Sequence, residues 1–246
     1  MRLKNKIAIV TGGGSGFGAG IVKKFIQEGA KVVVADINLE NAEKVVMDSG
    51  GFAVEVDVSN SLSFKNLVST TLEKFGKIDI MVNNAGITHT PKKMEDISEE
   101  EFDRIFSVNS KSVFLCAKYL VPLMTSNGGG NILNIASTAG ISPRPNLSWY
   151  NATKGWMISA TKAMAIELAP KKIRVNALAP VAGETPLLKS FMGGDTPEKR
   201  EKFLSTIPIG RFSTPDDMGN AACFLCSEEA SMITGVILEV DGGRCI

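Results

Sequence analysis

Tyr150 and Lys154 set a phenol and an ammonium four residues apart, with Tyr150 13 residues beyond Ser137. On a helix that spacing puts both groups on one face, a turn from each other. A nearby positive charge favours the ionised form of a phenol, whose ordinary pKa is about 10; moving it to about 7 corresponds to roughly 4 kcal/mol of preference for phenolate. A tyrosine brought toward neutrality in this way can take a proton from an alcohol or give one to a carbonyl. The Y-x-x-x-K spacing also arises by chance in many helices, so its meaning depends on what else the chain carries.

The first 36 residues supply a context. Lys6 to Thr11 (KIAIVT) reads as a short buried strand, β-branched and apolar. Gly12, Gly13, Gly14, Gly16 and Gly18 follow, and Ala19 to Glu28 reads as a helix ending at Gly29. A strand, a glycine turn and a helix N-terminus form a cradle for pyrophosphate, because the backbone can approach closely and free N–H groups favour anionic oxygen. The next strand, Lys31 to Ala35, ends at Asp36, 24 residues past Gly12, where a carboxylate would hydrogen-bond adenosine ribose hydroxyls.

These elements need a scaffold, and the rest of the chain reads as one. Strand-like runs recur at Lys6–Thr11, Lys31–Asp36, Phe52–Val56, Ile78–Val82, Asn131–Ala136, Ile173–Ala179 and Val236–Val240, with helical patterns between them. Such alternation predicts an α/β fold around a parallel sheet. No repeat or linker divides residues 1–246, so one dinucleotide-binding domain is expected. Ser98 with Glu101 forms a capping box for the helix carrying Asn109, and Pro170 stops the helix carrying Tyr150. Between Pro180 and Pro215 the alternation breaks into a glycine- and proline-rich insertion with weak helical pieces. A lid at about 183–212 is expected there. The helix around Tyr150 is apolar all round, which predicts that it is covered on both sides, one side by another copy of the chain.

Composition excludes several classes. With 27 basic and 26 acidic side chains and no basic tail, nothing suggests nucleic acid. No apolar run is long enough to span a membrane or to serve as a signal-peptide core, so a cytoplasmic protein is expected. Cys223 and Cys226 form a C-x-x-C, but no second Cys/His pair completes a metal site; the four cysteines read as packing, and no metal is expected. The one histidine, His89, reads as a loop or cleft-rim residue.

The chain resembles the short-chain dehydrogenase/reductase family over nearly its whole length. The matching motifs, in order, are TGGGSGFG (Thr11 to Gly18), Asp57-Val58, NNAG (Asn83 to Gly86), Asn109, Ser137, YNATK (Tyr150 to Lys154) and Pro180 with Thr185. The resemblance implies a Rossmann-type, doubly wound, seven-stranded parallel sheet with helices on both faces, an NAD(P)(H)-dependent oxidoreductase, and a homotetramer assembled through the 99–125 and 149–169 helices. It implies Tyr150 as general acid/base and Lys154 as the residue that holds the nicotinamide ribose and lowers the phenol's pKa. Ser137 would hold the substrate oxygen, and Asn109 would interrupt its helix and hold a relay water. Gly12, Ser15, Gly16, Phe17 and Gly18 would line the pyrophosphate and ribose, and Asp36 and Ile37 would read the adenosine ribose. Asp57 and Val58 would meet the adenine with Asn84, Ala85 and Gly86 beside it, and Pro180, Val181, Gly183 and Thr185 would lie near the carboxamide. Val181 stands where the family commonly has glycine.

Charge selects the cofactor. The extra phosphate of NADP would face Asp36, and two unit charges about 4 Å apart repel by roughly 4 kcal/mol at an intermediate dielectric. Ser15 and Ile37 occupy the places where the family puts a compensating base, so NAD(H) is expected. The expected substrate is a small alcohol or ketone, a sugar or polyol, or a hydroxy acid, met by Asn146, Trp149, His89 and the lid, with Lys189 and Arg211 available to an anionic group. The alternative is a 3-oxoacyl-acyl-carrier-protein reductase; those enzymes typically use NADPH and dock the carrier through arginines where this chain has Val121 and Ile166. A non-catalytic NAD sensor is disfavoured because all four catalytic positions are kept.

Overall fold

A computed structural model describes all residues, Met1–Ile246. The strands are β1 (Ile7–Thr11), β2 (Lys31–Asp36), β3 (Phe52–Glu55), β4 (Ile80–Asn83), β5 (Gly130–Ile135), β6 (Ile173–Pro180) and β7 (Ile237–Val240). They form one sheet of seven in the order β3-β2-β1-β4-β5-β6-β7, every neighbouring pair parallel. All the expected strands are present, β2 with the expected ends and the others displaced by at most two residues. The chain leaves β1 in one direction and returns to its other side at β4, which opens a crevice at the carboxyl ends of the strands.

Side chains alternate across the central strands. Ala8 and Val10 pack with Ile21, Val22 and Phe25 of α1 (Gly16–Gln27), Ala42 of α2 (Leu39–Ser49) and Met218 of α9 (Pro215–Cys226). Ile9 faces the opposite way, toward Phe64 and Leu67 of α3 (Ser61–Phe75), Leu115 of α5 (Ser112–Ser126) and Leu168 of α6 (Ser148–Leu168). Burying each of these large side chains is worth about 1.5–3 kcal/mol, so the two layers fix the sheet, and the sheet fixes the ends of its strands. Cys116, Cys223 and Cys226 are buried in these layers as free thiols.

Four features differ from or extend the sequence reading. Helix α1 begins at Gly16, three residues earlier than the apolar pattern indicated, because glycine-rich sequence conceals its first turn. Helix α4 (Glu99–Phe106) starts on the Ser98–Glu101 capping box and meets α5 through a π-helical turn, Ser107–Lys111, that contains buried Asn109. The insertion after β6 contains two short helices, α7 (Leu187–Met192) and α8 (Pro197–Leu204). Helix α6 is not covered on both sides within this chain: Trp156 and Ile166 are exposed, as are Phe102, Phe106 and Phe114 of α4 and α5, and the Trp156 ring lies 6.2 Å from that of Phe106.

Candidate active site

Thr11 ties the floor of the crevice together. Its hydroxyl donates to the Val82 carbonyl and accepts from the backbone N–H groups of Asn84 and Ala85, while the Asn84 amide donates to the Thr11 and Gly12 carbonyls. The end of β1 is thus locked to the end of β4, and the glycine turn is held open over both. Gly12 has φ +61, and a Cβ there would lie 2.9 Å from the Ala85 Cα. At Gly18 a Cβ would meet the Gly12 carbonyl oxygen at 2.0 Å. No other residue permits this approach of α1 to β1, and the approach aims the free N–H groups of the helix into the crevice. Asp36 closes one end of the crevice, its carboxylate accepting from Gly14 N–H at 2.9 Å and Asn38 N–H at 3.0 Å.

The catalytic candidates converge from three elements. Ser137 follows β5, its hydroxyl accepting from Ala139 N–H at 3.1 Å. Tyr150 and Lys154 occupy successive turns of α6, both buried. The Lys154 ammonium donates to the Ile135 carbonyl at 2.8 Å and lies 5.9 Å from the centre of the Tyr150 ring. Asn109 is clamped to the main chain of Ile87, accepting from its N–H and donating to its carbonyl, each at 2.9 Å, and also donates to Thr153 at 3.1 Å. The Thr153 hydroxyl donates to the Tyr150 carbonyl at 2.7 Å, so the π-helical turn, the NNAG loop and α6 form one hydrogen-bonded frame.

Burial changes the expected electrostatics. It pushes the Tyr150 phenol up to about 12, with the neighbouring Ser137 side chain opposing it. Burial likewise pulls the Lys154 ammonium from 10.5 down to about 8. The expectation that Lys154 brings the phenol toward neutrality is therefore corrected. Here the ammonium is turned toward a carbonyl, and removal from water dominates at both groups. In this arrangement the phenol holds its proton and is set up as a donor.

A cleft of roughly 790 Å³ is lined by Gly12, Ser15, Gly16, Phe17, Asp36, Ile37, Asp57, Val58, Asn84, Ala85, Gly86, Tyr150, Lys154, Pro180 and Thr185. A smaller cavity beside it is lined by Ser137, Tyr150, Val181, Gly183, Leu188 and Phe191. Tyr150 borders both. Gly18 and Asn109 touch neither, and support the site from behind. The larger cleft has the size of a cofactor site, and its glycine floor would be filled by any side chain, so NAD(H) fits it.

The substrate-side expectations fare less well. The Arg211 guanidinium is bound to Asp217 at 2.6 and 2.9 Å, inside the Thr214–Asp217 capping box of α9, and Lys189 and Asn146 are exposed. Trp149 donates from its ring to the Met94 carbonyl and packs on Phe102. His89 lies in a loop, as expected, but is buried and not at a rim, with Nδ1 against the Thr90 carbonyl. The sequence reading overlooked Phe191, whose ring stands 5.6 Å edge-on to that of Tyr150, and Ile87, Arg104 and Ser190, which line the larger cleft. For Phe191 the only sequence signal was its place in the insertion.

Known proteins agree with this geometry. The family model described as enoyl-(acyl carrier protein) reductase matches residues 12–244. The chain is 46% identical to 4-formylbenzenesulfonate dehydrogenase of Comamonas testosteroni over the full length of both. It superimposes with TM-score 0.95 on the crystal structure of a 3-ketoacyl-(acyl-carrier-protein) reductase from Brucella melitensis complexed with NADH, at 53% identity, covering 99% of this chain and 100% of that one. A 7α-hydroxysteroid dehydrogenase complexed with NADH and 7-oxo glycochenodeoxycholic acid gives TM-score 0.93 at 40% identity, covering 98% and 95%. With this fold, this cleft and these relatives, the chain belongs to the short-chain dehydrogenase/reductase family and is an NAD(H)-dependent oxidoreductase of CH–OH groups.

Proposed function

We propose that the chain interconverts a small alcohol with its aldehyde or ketone in the largely apolar cavity formed by Ser137, Tyr150, Leu188 and Phe191. The observation that carries this reading is Tyr150, which borders both the cofactor cleft and the smaller cavity. NAD(H), when bound, supplies the hydride acceptor or donor. Ser137 holds the substrate oxygen, Tyr150 gives it a proton in reduction and takes one in oxidation, and Lys154 holds the ribose hydroxyls. Asn109 keeps the frame behind them in register, and 183–212 acts as the lid. A panel of secondary alcohols, polyols, hydroxy acids and aromatic aldehydes, followed at the NADH absorbance with Tyr150→Phe as control, tests the assignment. Turnover indifferent to that substitution would refute it.

A second reading, reduction of 3-oxoacyl thioesters, is favoured by the likeness to the Brucella enzyme. That structure holds NADH, so nucleotide choice does not separate the two readings. The surface speaks for a free small molecule: Ile166 is exposed and Val121 half-buried, where a carrier-docking site would want positive charge. Acetoacetyl thioesters belong in the same panel, and selective turnover of the carrier-bound form would decide for the second reading.

NAD is read by Asp36, whose carboxylate is held by two main-chain donors, and Ile37 beside it is 70% exposed. Asp36→Ala combined with Ile37→Arg is expected to shift the ratio of kcat/KM for NADPH over NADH upward by about 10²–10³, the equivalent of removing the roughly 4 kcal/mol repulsion. A wild-type preference for NADPH would contradict the role given to Asp36.

The exposed aromatic and aliphatic strip of α4, α5 and α6 supports assembly into a homotetramer. Ile166→Glu should move the sedimenting species to lower mass; an unchanged profile would place the interface elsewhere. No helix is long and apolar enough to cross a membrane, which accords with a cytoplasmic location.

A further inference from the structure

We propose that Arg144 and Arg244 form the receptor for a carboxylate or sulfonate carried at the far end of the substrate. This rests on the reaction proposed above and names the class of molecule that undergoes it. Of the seven arginines, Arg2, Arg200 and Arg211 are ion-paired, Arg174 is received by three main-chain carbonyls, and Arg104 lines the cofactor cleft. Arg144 and Arg244 remain, half-buried, close to each other and without an acidic partner.

Arg144 donates to the Thr206 hydroxyl at 3.0 Å, and Arg244 donates to the Ser142 hydroxyl at 3.2 Å. The Arg244 Nε is buried and has no acceptor at all. Two like charges held together with an unsatisfied buried donor are unfavourable unless an anion joins them. Burial, and then the charge of Arg244, push the Arg144 guanidinium down to about 10. A row of packed aromatic rings links the place to the reacting site. The Tyr150 ring lies 5.6 Å from Phe191, Phe191 lies 5.8 Å from Phe203, and the Arg144 guanidinium lies 4.4 Å above Phe203. Two rings stand between the phenol and the guanidinium. The anion is therefore remote from the reacting carbon, as at the far side of an aromatic or alicyclic body, and is not the adjacent carboxylate of a short 2-hydroxy acid.

The test uses the full chain at saturating NADH with 4-formylbenzoate, 4-formylbenzenesulfonate and uncharged 4-methylbenzaldehyde. Arg144→Met and Arg244→Met should each lower the ratio of kcat/KM for the anionic over the neutral aldehyde at least tenfold, mainly through KM. Arg144→Lys should restore part of it. In parallel, calorimetry measures 4-formylbenzoate binding to Tyr150→Phe with and without Arg144→Met, where the second change should raise the dissociation constant at least tenfold. Binding and ratio both indifferent to the arginines overturn the proposal. Arginine-dependent binding with no turnover of any aldehyde upholds the receptor and refutes the reaction; turnover that depends on Tyr150 but not on the arginines does the reverse. Variants that sediment as smaller species with the ratio intact show that the pair serves a subunit contact, which also overturns it.

Discussion

Tyr150→Phe is expected to lower kcat by about 10²–10⁴, the range for loss of a positioned acid or base, while NADH binding stays within about twofold. The separation of effects follows from the packing. The Tyr150 ring is buried edge-on to Phe191 and its neighbours on α6 are fixed by Thr153 and Asn109, so phenylalanine fills the same space and the frame survives. What leaves is the hydroxyl, the titratable group that borders both cavities. Its pKa, pushed up to about 12 by burial, also sets the sign of the pH response. Below that value the phenol holds its proton, so reduction should not lose its acid across the neutral range. Stopped-flow turnover and fluorescence titration of NADH check the two halves separately. A variant that keeps wild-type kcat on every accepted compound would remove Tyr150 from the proton transfer.

Gly18→Ala is expected to raise the NADH dissociation constant by at least 10² and to lower the melting temperature. The added methyl would sit 2.0 Å from the Gly12 carbonyl oxygen and 2.6 Å from the Asn84 amide nitrogen. Neither can retreat freely, because Asn84 donates to that carbonyl at 3.1 Å and to the Thr11 carbonyl at 2.8 Å. The helix must therefore move away from β1, and the glycine turn with it. Overpacking of this kind costs about 1–3 kcal/mol or more, which in a chain of this size corresponds to a fall of roughly 2–12 °C. Differential scanning calorimetry and NADH titration measure both effects. Unchanged nucleotide affinity would show that the close approach of α1 is not what shapes the cradle.

Much of the architecture was legible because its causes are local. Strands buried on both faces read as short β-branched runs, such as KVVVA before Asp36, and a parallel sheet needs a helix between each pair. Ser98 with Glu101 and Pro170 marked helix ends because caps and proline act within one turn. The glycine turn and Asp36 were legible for the same reason. The resemblance to a family added the roles of Asn109 and Ser137, which the residues by themselves did not distinguish from a polar helix position and a strand-end serine.

The sequence by itself thus determined the strands, the glycine turn, the placing of Tyr150 and Lys154 on one helix and the acid that ends the second strand, since each depends on neighbours a few residues away. The tertiary structure decided the rest. Arg211 was consumed by Asp217 in a helix cap, while Ser142 and Arg244, 102 residues apart, were brought into contact. Phe191 was swung from the insertion onto Tyr150. The sign of the phenol's pKa shift was reversed as well, because desolvation is set by everything that packs around a group, and no spacing along the chain encodes how much water is left beside it.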